Sequence, residues 1–175
     1  TLEISRKVNL AQLLGFQAYQ FYHLPAKNYH QQRIWVDKDF PDLADLPLPH
    51  HAQLIFERIE SLYDLNLPIL VLFTSKELLL EVSENLSLQH LAQYKNGEPS
   101  QLKKRFEKGE RKILLGTGSF WEGVDFSTHP CVIQVIPRLP FQNPHEPLTK
   151  KLNQELRQEG KNPFYDYQLP MAIMR

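Results

Sequence analysis

A chain of 175 residues fits one folded domain, since units of roughly 100 to 200 residues are common. Hydrophobic residues make up 42% of the chain and charged residues 23%, which is globular composition and excludes a disordered tail. The longest apolar runs fall far short of the ~20 residues that a membrane-crossing helix needs. The amino terminus carries no basic segment followed by a long apolar stretch, so a cytoplasmic protein without a membrane partner is expected.

Charge is distributed unevenly, although the formal net charge is zero. Residues 1–86 hold 7 Lys and Arg against 11 Asp and Glu, and residues 87–175 hold 13 against 9. The second half therefore favours a polyanion as partner, because Lys and Arg make most phosphate contacts. Cys131 is the single cysteine, so this chain offers no disulfide and no cysteine cluster for zinc or an iron–sulfur centre.

Helices and strands are predicted to alternate along the chain. The helices, each with apolar residues at helical spacing, are predicted over 8–14, 50–64, 75–85, 100–108 and 147–159. The strands or strand-like pieces, each a short apolar run, are predicted over 19–24, 33–36, 69–73, 91–94, 112–115 and 131–136. Ser75 and Ser100 are the predicted caps of their helices. This alternation predicts an α/β fold whose mainly parallel sheet is flanked by helices on both faces.

A glycine-rich stretch from Gly116 to Phe126 follows the predicted strand over 112–115. Three of the seven glycines lie between Gly116 and Gly123, and Thr117 and Ser119 place hydroxyl groups among them. Glycine admits close approach of the backbone to a ligand, and ligands of open parallel sheets lie beyond the carboxyl ends of the strands. We therefore interpret the stretch as a candidate phosphate-binding loop.

Two carboxylates in this loop, Glu122 and Asp125, are three residues apart, so one helical turn brings them to the same side. They are suited to a guanidinium, a ribose hydroxyl or a metal-bound water, and the alternative is that they cap nearby backbone amides. A metal-dependent hydrolase pair is a third interpretation. It lacks further ligands besides the distant His129, so no metal site is predicted.

Two other features each allow a binding and a structural interpretation. The basic residues between Lys103 and Lys112 form either a DNA-binding face or a solvated helix face, and interleaved Glu107 and Glu110 favour the solvated face. Phe120 and Trp121 either stack on bases or lie buried beneath the glycine-rich loop.

The stretch from Gly116 to Asp125 resembles motif V of the DinG/XPD-like superfamily 2 DNA helicases, in which a strand runs into Gly-x-x-Ser-Phe-Trp-Glu-Gly-Val/Ile-Asp. Residues 69–75 resemble motif IV, and Thr1-Leu2 resembles the end of the motif III element. DinG-type sequence continues downstream in the family's order at 136–141, 143–144, 160–164 and 169–170. The resemblance spans nearly the whole chain.

The resemblance implies that residues 1–175 form a three-layer RecA-like, P-loop NTPase-like domain, the second motor domain of an ATP-dependent DNA helicase. The implied partners are single-stranded DNA and the first RecA-like domain of the same polypeptide, with ATP and Mg as cofactors of the full-length protein. The residues expected to contact the DNA backbone are Thr74, Ser75, Thr117, Gly118 and Ser119. Those expected at the ATP cleft are Glu122, Gly123 and Asp125.

Catalytic elements of such a motor are absent from this sequence. It has no Gly-x-x-x-x-Gly-Lys-Ser/Thr loop and no Asp-Glu-x-His/Asp element, both of which the family places in the first motor domain. Motif VI, which carries the arginine finger, is expected just beyond Arg175. The chain alone is therefore expected to be inactive and to bind no cofactor. Because some relatives of this family carry an exonuclease domain, the alternative is a nonmotor module that binds single-stranded DNA.

Overall fold

The computed structural model describes residues 8–18, 33–38, 40–41, 46–122, 126 and 132–174. The chain divides into two compact units: residues 43–140 form one, and the chain before residue 43 joins residues 141–174 in the other. That residues 1–175 form one RecA-like domain stays a prediction. Apolar periodicity identifies which residues of an element are buried, but it does not indicate which elements share a core.

The described residues form short strands and helices in alternation. The strands are β1 (Ile69–Phe73), β2 (His90–Ala92), β3 (Ile113–Thr117) and β4 (Ile133–Val135). The helices are α1 (Leu10–Leu13), α2 (Leu48–Tyr63), α3 (Lys76–Asn85), α4 (Pro99–Glu107), α5 (Pro147–Gln158) and α6 (Leu169–Met174). None of the described helices is long and apolar enough to cross a membrane.

The unit of residues 43–140 contains a parallel sheet with the strand order β2-β3-β1-β4. β1 lies inside the sheet, where Phe73 pairs with Thr117 of β3 and Val71 pairs with Val135 of β4. All five residues of β1 and all five of β3 are buried. Continuous burial is expected for parallel strands that are covered on both faces.

Helices cover both faces of this sheet. Val71 and Phe73 of β1 belong to one apolar cluster with α2 and α3, which includes Ile59 and Leu79. The alternate residues Leu70 and Leu72 belong to a second cluster, together with Leu102 and Phe106 of α4. The predicted α/β fold, a three-layer RecA-like domain with a parallel sheet, is therefore confirmed.

Several boundaries differ from the prediction. β3 continues through Gly116 and Thr117, two residues beyond the predicted strand end, because both residues pair with β1. Ser100 does not cap α4, which has Glu98 at its cap position and begins at Pro99. Proline fits the first helical turn because its missing N–H needs no partner there. Residues 33–36 form no strand, and the predicted piece over 19–24 lies outside the described residues.

The other unit has its own small core. Val8, Leu156 of α5 and Tyr167 are buried together, with Leu152 and Met171 packed against them. A π-helical segment, Phe164–Gln168, leads directly into α6.

Candidate functional site

Two loops leave the sheet side by side at the carboxyl ends of β1 and β3. We call residues 74–75 the β1 tip and residues 117–122 the β3 tip. Since Phe73 pairs with Thr117, the β1 tip emerges next to Gly118 and Ser119. Thr74, Gly118 and Ser119 are exposed, and Ser75 is half-buried. Four of the five residues predicted to contact a nucleic acid backbone therefore lie at one accessible edge of the sheet.

The β1 tip is organised by the start of α3. Ser75 has an extended backbone, and its Oγ accepts a hydrogen bond from the backbone N–H of Leu78 at 3.2 Å, which confirms the predicted cap. Thr74 precedes the cap and leaves its side chain exposed. The amino terminus of a helix carries partial positive charge and unpaired N–H groups, so this tip is electrostatically suited to an anion.

The β3 tip is held by two residues that follow β2. The backbone N–H of Thr117 donates to Oε1 of Gln93 at 2.8 Å, and the Thr117 hydroxyl lies 2.9 Å from the hydroxyl of Tyr94. Thr117 is only 6% exposed. Its side chain is therefore enclosed and already hydrogen-bonded, and the accessible groups of this tip belong to the residues after it.

Aromatic side chains support the β3 tip from below. Phe120 is 3% exposed, and a Cβ at Gly116 would lie 2.5 Å from its ring, so only glycine fits there without a shift. The half-buried Trp121 donates its indole N–H to the carbonyl oxygen of Phe73 at 2.9 Å. Of the two interpretations of Phe120, the structure therefore supports burial beneath the loop rather than base stacking. Gly118 adopts a left-handed φ of 47°, which glycine tolerates.

The predicted cleft residues are only partly described. Glu122 is exposed, whereas Gly123 and Asp125 lie outside the described residues, as does His129. The pairing of Glu122 with Asp125 therefore stays a prediction. Within the described ranges, no group of three or more His, Cys, Asp and Glu side chains is arranged to hold a metal ion.

Sequence reasoning missed Gln93 and Tyr94 as parts of this edge. Both were predicted to lie inside the strand over 91–94, but β2 ends at Ala92, so they follow a parallel strand as the other tips do. Tyr94 is half-exposed, and the ammonium group of Lys76 lies 4.9 Å from the centroid of its ring. Polar residues after each strand of a parallel sheet are thus the signal that was available in the sequence.

The basic segment around α4 is a solvated face, with much of its charge paired locally. Nε of Arg105 donates to Glu110 at 2.8 Å, and Lys103 lies 3.9 Å from Glu107. The hydrogen bond between Arg105 and Glu110 raises the pKa of the guanidinium and lowers the pKa of the carboxyl group. This agrees with the solvated-face interpretation.

The chain is similar to known proteins over most of its length. The family described as "Helicase C-terminal domain" matches residues 60–175. The "3'-5' exonuclease DinG" of Bacillus subtilis (strain 168) is 36% identical over 153 residues, which are 82% of this chain and 16% of that protein. The "ATP-dependent DNA helicase YoaA" of Haemophilus influenzae is 30% identical over 164 residues, which are 86% of this chain and 26% of that protein. The chain thus spans about a quarter or less of these relatives.

Proposed function

Since this chain belongs to the helicase C-terminal domain family, we propose that it is the second RecA-like motor domain of an ATP-dependent DNA helicase. In this proposal the β1 and β3 tips form part of the track for single-stranded DNA. Glu122, Gly123 and Asp125 face the ATP cleft, whose other wall is the first RecA-like domain. The observation that carries the proposal is the adjacency of the two exposed tips across the Phe73–Thr117 pair.

The chemistry of the tips suits a motor that moves over any sequence. Hydroxyl groups of Thr74 and Ser119 and backbone amides bind phosphate oxygens without reading base edges. The glycine at 118 leaves its backbone open to a ligand, since nothing lies within 4 Å of a Cβ built there. In this proposal Thr117 contributes differently: its bonds to Gln93 and Tyr94 hold the β3 tip in place for its neighbours.

The charge of Glu122 restricts which part of a nucleotide it can contact. An exposed carboxylate such as Glu122 repels phosphate oxygens, so it fits a ribose hydroxyl or a water molecule bound to Mg²⁺. Mg²⁺ neutralises charge on the phosphates in such motors, and a phosphate-binding loop holds the nucleotide. Because the sequence lacks that loop, we propose that the chain alone hydrolyses no ATP.

The proposal is tested by DNA-stimulated ATP hydrolysis in the intact protein that contains this chain. Combined T74A and S119A substitutions should raise the DNA concentration for half-maximal stimulation by about tenfold, because hydrogen bonds to charged groups are lost. Ser100 is exposed on α4, so S100A is the matched control and should behave as wild type. Wild-type stimulation of the T74A/S119A variant would contradict the DNA-track proposal.

The cleft assignment has a separate test. E122Q in the intact protein should raise the KM for ATP, while the affinity for single-stranded DNA without nucleotide stays unchanged. An unchanged KM with a weakened affinity for DNA would move Glu122 from the cleft to the track.

A second candidate function is a nonmotor module that holds single-stranded DNA for a nuclease. It is favoured by one observation: the Bacillus subtilis relative is named an exonuclease. Binding to single-stranded DNA that falls steeply with salt, and that ATP leaves unchanged in the intact protein, would support this candidate over the motor.

A further inference from the structure

Tyr94 occupies an unusual position at the same edge as the two tips. It follows β2, which pairs in parallel with β3, and it is 50% exposed. Its φ of 73° lies in the left-handed region, where a bulky non-glycine residue is rare. Such a conformation persists only where the surroundings impose it, and residues of this kind cluster at binding and catalytic sites.

The turn around Tyr94 is fixed by hydrogen bonds. The carbonyl oxygen of Ala92 accepts from the backbone N–H groups of Lys95 and Asn96, and the Asn96 side chain accepts from the N–H of Ala92 at 2.8 Å. The hydroxyl of Tyr94 is anchored to Thr117. An exposed aromatic ring is therefore held in one orientation before any ligand binds, which reduces the entropy lost on binding.

A cation completes this arrangement. Lys76, the first residue of α3, places its ammonium group over the Tyr94 ring. Among the described residues, Lys76 has no carboxylate partner, whereas Lys95 lies 3.7 Å from Glu84. The Tyr94 ring thus connects the β3 tip, through Thr117, with the first residue after the β1 tip.

We propose that Tyr94 stacks a nucleobase of single-stranded DNA and that Lys76 binds the adjacent phosphate. The inference rests on the proposed function and extends the track from the β1 and β3 tips to the end of β2. Aromatic rings stack on every base, so this contact preserves the sequence tolerance that a motor requires. The ammonium group supplies a point charge for a phosphate without imposing a fixed geometry.

Two probes of equal length separate base stacking from backbone binding: an oligothymidylate and an abasic oligonucleotide. Affinities are measured on the intact protein by fluorescence anisotropy. The variant Y94G removes the ring and accepts the left-handed φ without strain, so folding is retained. Wild type should prefer the oligothymidylate, and Y94G should lower that preference by about fivefold or more. Y94F keeps the ring and should retain the preference.

Lys76 is tested on the same probes. K76Q should weaken binding of both probes equally. It should also lower the slope of log affinity against log salt concentration by about one, the value expected for one lost phosphate contact. The matched control is K104Q, since Lys104 is exposed on α4, and it should change neither probe nor slope.

The outcomes distinguish this inference from the proposed function. If Y94G keeps the wild-type preference, or if Y94F loses it as fully as Y94G does, base stacking by Tyr94 is refuted. If T74A and S119A leave binding of both probes unchanged while Y94G lowers the preference, the hydroxyl track fails and the stacking site stands. A K76Q variant with wild-type affinity and salt slope refutes the phosphate contact.

Discussion

The β1 and β3 tips meet at one edge of the sheet, but they are stabilised in different ways. In the β1 tip, Ser75 bonds to Leu78, three residues further along. In the β3 tip, Thr117 bonds to Gln93, and Trp121 bonds to Phe73, across 24 and 48 residues of chain. The first tip is therefore organised by local sequence, whereas the second forms only when β1, β2 and β3 are assembled. Substitutions at the β3 tip should accordingly cost more stability than those at the β1 tip.

The largest effect is expected for G116A. A Cβ at this position lies 2.5 Å from Cδ2 of the buried Phe120, so the free energy of unfolding should fall by about 2–3 kcal/mol through overpacking. Urea unfolding measures the change. G118A is the control, because its Cβ meets nothing and only the left-handed φ costs about 1 kcal/mol. If G116A and G118A lower the free energy of unfolding equally, the contact with the Phe120 ring is not the cause of the loss in G116A.

Q93L should cost about 2 kcal/mol of unfolding free energy. It removes the side-chain acceptor of the Thr117 N–H and leaves a buried donor unpaired. Hydrogen exchange of the Thr117 amide gives a second readout, which should accelerate in Q93L. An unchanged exchange rate would mean that this bond does not hold the tip.

W121F should cost about 1–1.5 kcal/mol, since it keeps a six-membered aromatic ring but removes the indole N–H and its hydrogen bond to the Phe73 carbonyl. Trp35 is 86% exposed and supplies the control W35F, which should stay within about 0.5 kcal/mol of wild type. Urea unfolding followed by circular dichroism measures both variants. If W35F lowers the free energy of unfolding as much as W121F does, the hydrogen bond from Trp121 to Phe73 is not the cause of the loss.

S75A is expected to cost the least, about 0.5–1 kcal/mol, because it removes a helix cap. S75D provides another capping oxygen and should restore most of the loss. S100A should have a smaller effect, because α4 has no side-chain cap bond. If S75A lowers the free energy of unfolding more than Q93L does, the β1 tip contributes more to stability than the β3 tip, contrary to expectation.

Local features of the fold were predictable from the sequence. The apolar run over 69–73 and the Ser75 cap were identified because a buried strand and a helix start depend on neighbouring residues. Ser100 was the wrong cap because Pro99 also fits a first helical turn and begins α4 one residue earlier. Even local rules thus compete when two suitable residues are adjacent.

Features that depend on strand order were not predictable in the same way. The sequence indicates that β2 and β3 are strands, but it does not indicate that they are neighbours, so the contact of Gln93 and Tyr94 with Thr117 was missed. The extension of β3 through Gly116 also depends on its pairing with β1. The candidate site was located by motif and by the rule for strand ends, whereas its supporting bonds required the assembled sheet.

The proposed DNA track requires that the two tips together contact the backbone of single-stranded DNA. Hydrogen–deuterium exchange of the intact protein, with and without a saturating oligothymidylate, tests it most directly. We expect slower exchange over 74–79 and 116–122, with no change over 99–108 in the solvated α4. Slower exchange over α4 with unchanged exchange at both tips would contradict it.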